Sequence, residues 1–119
     1  MENSQSLVIA TEKWGEWEIL SLTGHFVVKS FALLREHFNR IESGPTPKVA
    51  IDLTQTVQLD SSALTVLLNF QRRLHDKNGR IAIIGPNAEI KETLLLVGFN
   101  LAVPIFSTRE MFEKSVAAG

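Results

Sequence analysis

Between Lys48 and Leu68 the hydrophobic period of the chain changes from two to about three and a half, which sets a strand directly before a helix. Val49, Ile51 and Leu53 alternate with Ala50, Asp52 and Thr54, after the breaker Gly44-Pro45-Thr46-Pro47. This predicts a strand entering a hydrophobic interior. A short polar loop follows. Ala63, Leu64, Leu67, Leu68, Gln71 and Leu74 then recur at helical spacing, opened by Asp60, Ser61 and Ser62 and closed by Asn78-Gly79. Asp and Ser are residue types that cap helix N-termini, so the spacing predicts a helix from Ser61 to about Asn78. A strand that feeds a helix in this way belongs to an α/β sheet, where the helix folds back over the sheet.

The flanking sequence agrees. Leu7 to Thr11 and Trp17 to Thr23 read as a hairpin around the polar turn Glu12-Lys13-Trp14-Gly15-Glu16, with Trp14 and Trp17 packed across it. Gly24-His25-Phe26-Val27-Val28 reads as a loop. It leads to an amphipathic helix over Lys29 to Glu42, begun with help from Ser30, carrying Phe31, Leu34, Phe38 and Ile41, and ended by Gly44-Pro45. Ile81-Ala82-Ile83-Ile84, bounded by Gly79 and Gly85-Pro86, reads as a buried parallel strand. Asn87 caps a helix that turns Ile90, Leu94, Leu95 and Val97 inward and stops at Gly98. Val103 to Phe106 is a short edge strand, since Pro104 cannot donate to a ladder. Ser107 to Glu110 reads as a capping box opening a last helix, with Met111, Phe112 and Val116 inward. The alternation predicts a mixed, mostly parallel sheet of about five strands with an N-terminal hairpin and about four packed helices. The 119 residues suit one domain, 1–119, with its core at about 7–116.

Several chemistries are missing from the sequence. With 12 basic and 13 acidic side chains and no basic stripe, nucleic acid is not an expected partner. No apolar run approaches the roughly 20 residues of a membrane span, and Met1 to Ser6 has no signal-peptide pattern. A cytoplasmic location without membrane insertion is expected. There is no cysteine, and His25, His37 and His75 fall on separate elements without ligand spacing, so no metal site is expected. Neither common glycine-rich phosphate cradle occurs, and no cofactor is implied. Ser61 lies between strand and helix but lacks the Gly-x-Ser-x-Gly elbow and a following Asp and His in triad spacing. No catalytic residue and no enzymatic activity are expected.

On local sequence alone Asp60, Ser61 and Ser62 account for themselves as helix caps worth about 1 kcal/mol. An exposed hydroxyl at a helix N-terminus is nevertheless a place where a phosphate is well tolerated, because free N–H groups and the helix dipole favour an anion. Phosphate on Ser61 would add about 1.5 to 2 negative charges beside Asp60. Val66 and Phe70 flank the helix stripe. Phe70 suits the core, and Val66 suits either a second core layer or an apolar landing site.

Taken together, Asp52-Leu53, the short loop, Leu59-Asp60-Ser61-Ser62-Ala63-Leu64 and the amphipathic helix resemble the signature of the STAS domain of bacterial anti-sigma factor antagonists. Leu22-Thr23-Gly24 and Leu96-Val97-Gly98-Phe99 extend the resemblance from about Leu7 to Phe112. It implies that Ser61, directly after the aspartate, is phosphorylated by a kinase-type anti-sigma factor and reset by a phosphatase. It also implies a partner-binding surface of Asp60, Ser61, Ser62, Thr65 and Val66, joined by His25 and Phe26. The implied function is that of a partner-switching regulator of transcription. The sequence departs from the family at Ala63, where glycine is usual, and at Gly24-His25-Phe26-Val27, where the family has Gly-Glu-Leu/Ile-Asp. The loss of both acids there implies a different partner preference. A constitutive STAS accessory subunit, of a lipid-transport ABC system or a stress-signalling scaffold, is the alternative that the same motif allows. A weaker third is a nucleotide-binding STAS domain, and Val66 with the edge strand leaves room for a homodimer.

Overall fold

The computed structural model describes residues 7–118. Its sheet has six strands, β1 (Leu7–Trp14), β2 (Trp17–Phe26), β3 (Lys48–Asp52), β4 (Thr56–Leu59), β5 (Arg80–Ile84) and β6 (Ile105–Phe106). Four α-helices accompany them, α1 (Phe31–Glu42), α2 (Ser61–Asp76), α3 (Ala88–Leu96) and α4 (Arg109–Ala118). The lateral order is β1-β2-β3-β5-β6, with β4 also against β2. Only β1 runs antiparallel, in a hairpin that sets Trp14 opposite Trp17; the other pairings are parallel.

Both sides of the sheet are covered, so its central strands are apolar at nearly every position. Leu20, Leu22, Val49, Ile51, Ile81 and Ile83 face a large core with Leu34, Phe38, Leu67, Phe70, Leu74 and Leu94 from α1, α2 and α3. Phe38 of α1 stacks flat on Phe70 of α2, ring centroids 3.7 Å apart. Trp17, Ile19, Ala50, Ala82 and Ile84 face the other way and form a smaller core around Phe112 of α4. The tryptophans do pair across the hairpin, and both also meet the Phe112 ring, at 5.8 and 5.1 Å.

The structure corrects the expected pattern at several points. There are six strands rather than about five, because Thr56–Leu59, expected as loop, is β4. Only Thr56 of its residues is buried, so the segment has no hydrophobic alternation to announce it. What holds it is non-local: the Thr56 hydroxyl donates to the Leu22 carbonyl at 2.7 Å, and the strand pairs with the far half of β2. That pairing also extends β2 to Phe26, three residues past its expected end. Gly24, at φ 113°, absorbs the register shift between Gly24 and His25, a conformation open to glycine and strained for other residues.

Three side chains expected inward lie outside. Leu95 and Val97 of the α3 region and Met111 of α4 are about half exposed, while Ile90, Leu94 and Phe112 carry the burial. The cap of α4 is Thr108 rather than Ser107, its hydroxyl accepting from the Met111 N–H at 3.1 Å. The helix over Lys29 to Glu42 divides into a 3₁₀ turn at Val28–Ser30 followed by α1.

Candidate functional site

At the end of β4 the chain enters α2 through Asp60, which is extended at φ −90° and ψ 176°. Its Oδ1 accepts the Ala63 N–H at 2.8 Å and its carbonyl accepts the Leu64 N–H at 3.0 Å. This is N-cap geometry, with the side chain replacing a backbone acceptor that the first turn lacks. The Asp60 N–H donates to the Phe26 carbonyl at 3.3 Å, which ties the cap to the end of β2. The cap is therefore fixed from both sides.

Ser61 and Ser62 occupy the first turn of α2, and both are exposed. Thr65 is exposed one turn on, its hydroxyl donating to the Ser61 carbonyl at 3.1 Å. Ala63 and Leu64 point into the core. Ala63 is wholly buried where the usual glycine would stand, so its methyl group contributes packing as well as helix propensity. Val66 is half-buried and walls a shallow cleft of about 180 Å³ between α1 and α2, with Phe31, Leu34, Arg35, Phe38 and Asn69 among its other walls. Phe70, one turn further, is fully buried.

His25 and Phe26 separate. His25 is half-buried, and its Nδ1 lies 2.9 Å from Oε1 of Gln58, its neighbour across the β2–β4 ladder. Phe26 has no exposed surface and packs edge-on against Phe31. Phe26 is thus part of the core and not of a partner surface, contrary to expectation. The cause is the extension of β2, which turns a loop residue into a strand residue facing α1. Val27, the position of the family's second acid, is also buried. The Ser30 hydroxyl donates to the His25 carbonyl at 2.9 Å and accepts from the Val27 N–H at 3.4 Å, holding this corner closed.

Two further apolar residues lie exposed on the segments around the cap. Val57 on β4 and Val28 after β2 are 59% and 58% exposed. Their only sequence signal is that each is a valine in a stretch that reads as loop. No group of three potential metal ligands occurs among the described residues, and no described helix is long and apolar enough to cross a membrane.

An Asp-capped helix with an exposed serine on its first turn thus opens from a mixed sheet. The STAS domain model matches residues 9–111, and the chain belongs to that family. Its fold is shared by an anti-sigma factor antagonist from Mycobacterium paratuberculosis, at 17% identity over 98% of this chain and 99% of that one, TM-score 0.84. It is shared as well by the Bacillus cell fate determinant SpoIIAA in its phosphorylated form, at 17% identity over 92% and 99% of the two chains, TM-score 0.74. An anti-sigma-factor antagonist (STAS) domain protein from Planctomyces limnophilus is 19% identical over 92% and 97%, TM-score 0.77. No curated protein matches this chain in sequence.

Proposed function

We propose that this chain is an anti-sigma factor antagonist that works by partner switching, with Ser61 as its switch and no catalytic activity of its own. The observation that carries the reading is the Ser61 hydroxyl, exposed on the first turn of a helix whose cap is immobilised by Asp60. A kinase-type anti-sigma factor would dock on Asp60, Ser61, Ser62, Thr65 and Val66, with His25 at the margin and Val28 and Val57 as added apolar contacts. Unmodified, the surface carries no charge beyond that of Asp60, since Ser61 and Ser62 are neutral. The kinase then transfers the γ-phosphoryl group of ATP to the Ser61 oxygen, the hydroxyl proton leaves to a base of the kinase, and ADP departs. The dianion next to Asp60 is stabilised within the helix N-terminus but opposes docking through repulsion and desolvation. A phosphatase restores the hydroxyl.

The family's first acidic position is His25 here and its second is the buried Val27, so the partner is one whose facing surface needs no acids at these places. The test compares Ser61→Ala with Ser61→Asp as baits in lysate of the native host. Ser61→Ala and the wild-type chain should retain a kinase-type anti-sigma factor, and Ser61→Asp should lose it, with affinity at least tenfold weaker. Equal retention by both variants would overturn switching at Ser61. Retention of a transport ATPase or a large scaffold by both would instead place the chain among constitutive STAS subunits.

A further inference from the structure

A cleft of about 700 Å³ lies far from Ser61. It opens where β3 and β5 begin, at Lys48 and Arg80, and where α2 ends, about 24 Å along the axis of α2 from its first residue. Its volume is within the range of about 300 to 1,000 Å³ typical of small-molecule sites. The floor is apolar, with Phe106, Pro104 and Val116 at its surface and the buried rings of Trp17 and Phe112 behind them. Phe112 meets Trp17 and Phe106 edge-on, so the floor rests on a set of rings braced against one another.

The rim carries the recognition chemistry. Lys48 is engaged by Glu16, Nζ to Oε1 at 2.5 Å, so that pair is close to neutral. Arg80 has no carboxylate partner among the described residues. Its guanidinium carbon instead lies 5.9 Å from the centroid of the Trp17 ring, a cation–π arrangement that holds the group over the floor. Gln71, His75 and Ser115 add hydrogen-bonding groups around it.

We propose that this cleft binds a small aromatic carboxylate, with its ring on Phe106, Pro104 and Val116 and its carboxylate on Arg80. One uncommitted cation matches one negative charge, and the guanidinium fork fits a carboxylate with two parallel hydrogen bonds. The stacked indole fixes the fork without neutralising it. Because the cleft sits at the opposite end of α2, it stands or falls independently of the switch at Ser61.

The test titrates the full chain with 1-naphthoate and with its neutral analogue 1-naphthylmethanol, following the indole and backbone N–H signals in ¹⁵N–¹H spectra. Naphthoate should give saturable shifts at Trp17, Arg80 and Ser115 and bind at least fivefold more tightly than the alcohol. Arg80→Gln should remove that advantage while leaving the alcohol unaffected. Ser115→Trp, which fills the cleft from an exposed position, should abolish binding of both. Shifts that do not saturate, or that survive both substitutions, would overturn the site. Equal affinity for acid and alcohol would overturn the role of Arg80, and tighter binding of 1-naphthyl phosphate would overturn its selectivity for a single charge.

Discussion

Asp60 and Ser61 are adjacent residues with opposite duties. Asp60 spends its carboxylate on the Ala63 N–H and is half-buried, whereas Ser61 makes no contact that the fold requires of its hydroxyl. Substitution should separate them. Asp60→Ala is expected to lower unfolding stability by about 1 kcal/mol, seen as a lower urea midpoint at unchanged slope, while Asp60→Asn retains most of it. An Asp60→Ala midpoint equal to wild type would mean that the cap is dispensable. A similar division separates His25 from Phe26. Successive strand residues face opposite ways, so one of the pair faces Gln58 on the surface and its neighbour fills the core.

At the scale of elements, β2 does most to organise the site. Its first half pairs with β3 and its second half with β4, so one ten-residue strand positions both the core and the cap of α2. The strand is locked to α1 by a buried carboxylate, Glu18, which Arg40 grips at 2.8 and 2.6 Å. Those hydrogen bonds hold the Glu18 carboxyl below its ordinary value of 4.5, with the charges of Arg40, Lys13 and His37 adding to them and burial partly opposing. A folded-state value lower than the unfolded one means that the unfolded chain takes up the proton first. The pair's contribution is therefore fully present above the ordinary carboxyl value and is lost as pH falls through the lower, folded-state one. Stability measured from pH 7 to pH 3 should fall less steeply in Glu18→Gln than in wild type, the two curves running parallel near neutrality and converging at the acid end. Curves parallel throughout would assign the acid sensitivity to other carboxylates.

The whole molecule is a sheet between two unequal cores. The larger is closed by three helices and the smaller by α4 alone, which Arg109 pins to Glu12 of β1 at 3.0 Å. Phe112 is the only fully buried side chain of α4, so the smaller core hangs on one ring. Phe112→Ala should cost about 3–5 kcal/mol. It should also erase much of the near-ultraviolet circular dichroism of Trp14 and Trp17, which share that ring, while leaving helix content nearly unchanged. Retention of the aromatic signal would show that the tryptophans are ordered by the hairpin alone.

Whatever depends on neighbours in the chain is legible in the sequence by itself. The alternation of Val49, Ile51 and Leu53, the stripe of Leu64, Leu67 and Leu74, and the polar residues at the start of α2 each follow from dihedral preference, side-chain periodicity and local hydrogen bonding. The position of Ser61 as the first residue of α2 follows from these alone. Tertiary structure decides what lies around it. β4 exists because β2 offers it a ladder, and Phe26 is buried because that ladder prolongs β2 and faces α1. Val28 and Val57 are exposed because no described element covers them, and Leu95, Val97 and Met111 lie outside because their helices have room for only one buried row. Burial is a property of what packs against a side chain, and contacts between residues tens of positions apart leave no periodic trace in either partner's own sequence.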